Sequence, residues 1–213
     1  MKRISGLFVF GSALLLCSLG TTRAGTATSI TGLYTTGASG TTRDSNWRES
    51  NGSRAYVVTN NVPGDWAPDT ASAQWISYAA NPNQANATYT YTLSFTIGGT
   101  GTGAVSNVAI TLTLAVDDSA SVYVNGGNTG VTTSGWNTTK TLVLNSTNSN
   151  FQIGTNTLTI NVSNSGAGAT GLLVSSITGA VPEVATWLPV AGALSLFGWI
   201  RLRPKKTLAL SAP

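Results

Sequence analysis

The sequence predicts an all-β protein: an antiparallel β-sandwich or jelly roll, flanked by an N-terminal signal helix and a C-terminal transmembrane helix. Two observations predict the middle. Short segments alternate apolar and hydroxyl residues with a period of two, and clusters of Gly, Asn, Ser and Thr separate them. A third predicts the ends. Residues 4–19 and 184–200 carry no charge, are largely apolar, and each run abuts basic residues.

The N-terminal element reads as a secretory signal over residues 1–24. Lys2 and Arg3 precede the apolar run, and Thr22 and Ala24 stand at the −3 and −1 positions of a signal-peptidase site. Cleavage after Ala27 is the alternative. The run is short and leaves through small residues, which favours cleavage over a permanent anchor. Cys17 is the only cysteine. Leu14, Leu15 and Leu16 stand before it where a lipoprotein signal needs small residues, so it reads as part of the apolar run. The processed chain then has no thiol, and its fold rests on its core alone.

Residues 25–180 form the expected ectodomain. The clearest strand covers 88–97, where Tyr89, Tyr91, Leu93, Phe95 and Ile97 alternate with Thr90, Thr92, Ser94 and Thr96. A second covers 107–116, with Val108, Ile110, Leu112, Leu114 and Val116 on one face. Shorter strands are expected at 54–59, 74–78, 121–125, 140–144, 157–162 and 172–177. Asn125-Gly126 after a Ser-Val-Tyr-Val run is a hairpin signal. Residues 98–103 read as a glycine-rich loop. No lysine follows these glycines, so it is no phosphate loop.

The net charge of +4 comes from the ends. Between them stand four basic residues, Arg43, Arg48, Arg54 and Lys140, against Asp44, Glu49, Asp65, Asp69, Asp117 and Asp118. Four scattered cations make no nucleic-acid patch. With no histidine and no cysteine beyond the signal, Ser-His-Asp and Cys-His nucleophiles and imidazole or thiolate zinc sites are excluded. Carboxylate chemistry remains, and glycoside hydrolysis would need two carboxyls facing across a cleft. Asp117 and Asp118 are sequence neighbours at an expected strand end, where side chains diverge. A hydrolase is therefore the remote reading, and the domain is expected not to be an enzyme.

Four residues are candidate ligand contacts. Asp117 and Asp118 either ligate Ca²⁺, with Asn125 helping, or accept hydrogen bonds that turn the chain between strands. No spaced acidic run completes a calcium loop, which favours the structural role, and no cofactor is expected. Trp66, between Pro63-Gly64-Asp65 and Ala67-Pro68-Asp69, either stacks on a sugar or folds back over the core; the burial habit of tryptophan favours the second. Trp136 is open to both roles. Trp75, in an apolar-periodic segment, reads as core.

The C-terminal element covers residues 181–206, with 207–213 a short extension. Trp187 and Trp199 sit near the ends of the apolar run, which as a helix spans roughly 25 Å. Arg201, Arg203, Lys205 and Lys206 follow as a stop expected to remain cytoplasmic. Val181-Pro182-Glu183 stands just before the run. This motif, the apolar helix and the basic cluster together resemble a PEP-CTERM sorting signal. The resemblance implies an exosortase-type enzyme processing the chain near that motif, and a precursor held at the inner membrane until then. Val184 stands where that family usually has proline. A plain single-span anchor is the alternative.

A second resemblance lies inside the ectodomain. Residues 115–126, Ala-Val-Asp-Asp-Ser-Ala-Ser-Val-Tyr-Val-Asn-Gly, resemble the strand-and-hairpin motif of galactose-binding-like jelly rolls, with Trp66 and Trp75 fitting upstream. The expected protein is thus exported and non-catalytic, at the cell surface or in a biofilm matrix with exopolysaccharide. The alternative is a carbohydrate-binding module using its loop tryptophans. The expected partners are signal peptidase, the exosortase-type enzyme and polysaccharide, with no nucleic acid.

Overall fold

The computed structural model describes residues 25–37, 42–102 and 104–182. Every regular element among them is a strand. These are β1 (Thr26–Thr31), β2 (Arg43–Glu49), β3 (Arg54–Val57), β4 (Ile76–Ser77), β5 (Asn83–Gln84), β6 (Ala87–Thr100), β7 (Ala109–Val124), β8 (Gly127–Asn145), β9 (Gly154–Asn164), β10 (Gly168–Ala169) and β11 (Gly171–Ala180). The all-β prediction holds. The expected signal and transmembrane helices, with Glu183, Arg201, Arg203, Lys205 and Lys206, lie outside the described residues.

The pairings build a sandwich joined along both sides. In one layer β6 pairs with β9, and β9 with the tip half of β7; in the other β3 pairs with β4, β4 with β11, and β11 with the base half of β7. The β7–β8 hairpin belongs to both layers and joins them on one side. On the other, β2 pairs with both β3 and β6. The hairpin tip is Asn125-Gly126, whose φ values of 51° and 76° give the doubly left-handed turn that the sequence signal demands.

Alternation drives the packing. Tyr91, Leu93, Phe95 and Ile97 of β6 point inward with Leu158, Ile160 and Val162 of β9, and meet Ile110, Leu112, Leu114, Leu172 and Val174 of the other layer. Cross-strand register lines up Tyr91, Ile160 and Val122 in one row and Leu93, Leu158 and Val124 in the next. The outer face carries hydroxyls, and Thr90 Oγ1 donates to Asn161 Oδ1 at 2.8 Å.

Three expectations are corrected. Residues 107–116 and 121–125 are one 16-residue strand, not two separated by a turn. The ladder to β8 steps from Val116–Gly135 to Ser119–Ser134, so three steps on β7 face one on β8. Asp117 and Asp118 occupy this bulge, where β7 passes from one layer to the other, and the peptide bond between them is cis. Residues 98–100 are strand rather than loop, because β1 pairs along them. Glycines fit here because a Cβ on Gly99 would run into the backbone of Thr26 and Ala27. The last strand of the hairpin spans 19 residues, far beyond the expected 140–144, since its first two-thirds pair through backbone without an apolar face to announce them.

Candidate functional site

The loop between β3 and β4 covers the outside of the β4–β11–β7 layer. Ala115 and Leu173 face outward from that layer and would meet water, but the loop buries them under Val58, Trp66, Ala67, Ala73 and Trp75. Its own polar groups are satisfied locally. Val58 N–H donates to Trp75 O at 2.9 Å, Trp75 N–H to Asp69 Oδ1 at 3.1 Å, and Trp75 Nε1–H to Ala67 O at 2.8 Å. The Trp66 and Trp75 rings lie 4.1 Å apart at 35°, a contact that adds about 0.5–1.5 kcal/mol to their area burial. Gly171 opens the slot for Trp66, since a Cβ there would sit 2.9 Å from the indole.

Trp66 links this loop to the β7 bulge. Its Nε1–H donates to Asp117 Oδ2 at 2.8 Å. Asp118 reaches a different segment: its Oδ2 accepts both the backbone N–H and the hydroxyl of Ser165, at 2.7 and 2.8 Å. On the far side of the loop, Trp136 Nε1–H donates to Asp65 Oδ2 at 2.8 Å, and Ala67 N–H donates to Trp136 O at 2.6 Å. These bonds hold four distant segments around one open cleft of about 360 Å³. Pro63, Asp65 and Trp66 form one part of its wall, Asp117, Asp118 and Trp136 another, and residues 164–169 the rest.

The electrostatics of the two adjacent carboxyls differ. Burial pushes Asp117 up to about 6, against the pull of the Trp66 bond; the hydrogen bond and charge of Asp118 and the charge of Asp65 push the same way. Asp118 is held below the usual carboxylate range, first by the Ser165 N–H. Asp118 therefore carries charge across the physiological range, while Asp117, 7% exposed, serves the loop rather than the solvent.

The sequence candidates divide accordingly. Asp117 and Asp118 do line one cleft, against the expectation that they diverge, because the bulge suspends the regular pleat. Trp66 lines the floor but is 6% exposed, which removes it as a stacking platform and gives it the covering role. Trp136 is 36% exposed, among the few large exposed apolar side chains, and lies on β8 rather than on a loop. Asn125 stands apart from the cleft. Its side chain staples the hairpin tip, donating to Asn150 O and Asn156 Oδ1 and accepting from Thr157 N–H. Asn125 is thus not among the oxygens beside Asp117 and Asp118, and among the described residues no group of three or more His, Cys, Asp or Glu is placed to hold a metal ion. Of the sorting motif, Val181 packs partly against the core and Pro182 O accepts from Asn107 Nδ2 at 3.4 Å. The reading of single residues missed Asp65 as the partner of Trp136, and Asn164 and Ser165 as cleft wall. Their only signal was membership of turn-forming clusters.

No protein-family model matches the chain, and no curated protein matches its sequence. Solved structures do. CBM35 from Paenibacillus barcinonensis aligns over 65% of this chain and 94% of its own, at 18% identity and a TM-score of 0.38. A CBM35 from Cellvibrio japonicus aligns over 64% and 94%, at 16% identity and 0.33. A family 35 carbohydrate-binding module from an environmental isolate aligns over 71% and 100%, at 15% identity and 0.32.

Proposed function

We propose that this chain is an exported, non-catalytic carbohydrate-binding protein whose ligand site is the cleft beside Trp136. One observation carries the reading: an exposed indole, hydrogen-bonded to Asp65, borders an open cleft of about 360 Å³ walled by carboxyl groups. Sugars present apolar C–H faces and hydroxyl edges, and a fixed aromatic ring next to acceptors suits both. Fixing the ring before binding lowers the entropy lost on association. The backbone of residues 166–168 adds further polar groups without side-chain bulk. The test is binding of the full chain to a panel of soluble polysaccharides. Trp136→Ala should weaken whatever binding is found by tenfold or more; unchanged affinity would refute the assignment.

Delivery is the second half of the proposal, and the sequence supports it. The N-terminal segment exports the chain, and the tail sorts it through processing near Val181-Pro182-Glu183, placing the cleft outside the cell with exopolysaccharide. The motif begins at the residue that directly follows β11, so a processing enzyme meets it next to a folded domain. Deleting residues 184–213 should release the protein from the inner-membrane fraction. Retention of the truncated chain there, as strong as that of the full one, would overturn the sorting reading.

A further inference from the structure

The cleft has a chemical bias that a general sugar site would lack. Three carboxylates line it, Asp65, Asp117 and Asp118, and no lysine or arginine does. The hydrogen bonds from Trp136 and Ser165 fall on Oδ2 of Asp65 and Asp118. Asp118 is kept as an anion, because two Ser165 donors favour its charged form. Trp136 supplies the ring face, and a cation next to an indole face gains further attraction. A second hollow of about 490 Å³ is lined in part by Ala67, whose N–H donates to Trp136 O, a residue of the first. Its lining is uncharged: Ala67, Pro68, Thr70, Asn137, Thr138, Thr139 and Ser175. The surface therefore offers an anionic place for one sugar unit and a neutral place for the next.

We propose that the ligand is a glycan carrying a free amino sugar, with the ammonium held in the Asp65–Asp118 cleft, the ring against Trp136, and the adjoining unit over the neutral hollow. This inference rests on the sugar-binding reading above and narrows it. Neutral sugars would cover carboxylates that have hydrogen-bond donors but no lysine or arginine to offset their charge, and uronic acids would meet like charge. An ammonium removes both costs.

The experiment compares three β-1,4-linked glucose-type trisaccharides that differ only at C2: amine, N-acetylamine and hydroxyl. Calorimetry with the full chain at pH 7 and low salt should show the amine form binding at least tenfold more tightly than either other. That preference should shrink as salt rises, since the contact is between charges. Asp118→Asn should abolish the preference while leaving residual affinity for the neutral trisaccharides, and Trp136→Ala should reduce binding of all three. Equal affinity for the three forms, with loss on Trp136→Ala, would overturn the amino-sugar inference and leave the sugar site standing. A preference for a uronic acid trisaccharide that appears only with added Ca²⁺ would also overturn it, because the carboxylates would then serve a bridging cation. Amine binding insensitive to Trp136→Ala would overturn both.

Discussion

The sandwich interior and the tryptophan loop outside it are both dry, but they are held by different physics. The interior is aliphatic and aromatic surface brought together by strand alternation, with rows such as Tyr91–Ile160–Val122 repeating along the sheet. The loop cluster has no such period. Two indoles stack over Ala115 and Leu173, and their N–H groups are spent on Ala67 O and on Asp117. One region is specified by a repeating pattern and the other by a few directional bonds. The second kind of region sets the cleft, because the bonds that satisfy the loop also aim its wall.

Substitutions test that contrast. The largest effect belongs to the interior. Phe95→Ala removes a ring 2% exposed and leaves a cavity, which typically costs about 3–5 kcal/mol. Tyr123 lies on the opposite face of β7 from Val122 and Val124 and is half-buried, so Tyr123→Ala should cost only about 1 kcal/mol. Denaturant melts of the two variants measure both, and equal losses would mean that the facing of the hairpin strand is not what alternation gives.

Trp66→Phe keeps most of the buried area and deletes the bond to Asp117. At pH 8 Asp117 is charged, and losing that donor should cost about 1.5–3 kcal/mol. Lowering the pH should reduce the cost. Folded Asp117 titrates near 6, against 3.8 for the free group, so the folded chain binds the proton more tightly than the unfolded one. Its contribution to stability is therefore fully present below about pH 4 and is lost as pH rises through about 6. In the variant the carboxyl has lost a partner that favoured the charged form, so the decline should steepen and reach to higher pH. Melts from pH 4 to 8 decide this, and identical slopes would show that the indole does not stabilise the charged carboxyl.

Much of the interior was legible in the sequence for the reason just given. A period of two over 88–97 and 107–116 identifies core strands and Asn125-Gly126 identifies the hairpin tip, but Trp75, read as part of a core strand, is buried in the cluster outside the sandwich, one residue before β4. What escaped was structure without an apolar period. β2 reads Arg-Asp-Ser-Asn-Trp-Arg-Glu and looks like a loop. It is a strand entry because the Asp44 carboxylate accepts N–H groups of Gly37, Asn46 and Trp47, so a buried polar residue replaces an apolar one. The cleft was half legible. Asp117, Asp118 and Trp136 stood out by residue type, but their convergence depends on a bulge set by tertiary pairing. Ser165 contributes an ordinary hydroxyl and a backbone N–H, which no residue pattern marks.

The joining of the sandwich along both sides has a consequence for how the chain reaches this state. Only β7–β8 and β2–β3 pair across short connections; β6 must find β9, with Tyr91 opposite Ile160, and β4 must find β11, with Ile76 opposite Leu172. Such distant pairings place folding in the millisecond-to-second range typical of β-sandwiches. Meanwhile β6 and β9 wait with bare edges, and neither strand contains a single charged residue to repel a second copy. The regularity that made these two strands easy to read also makes them the most adhesive part of the unfinished molecule, so refolding yield should fall as protein concentration rises.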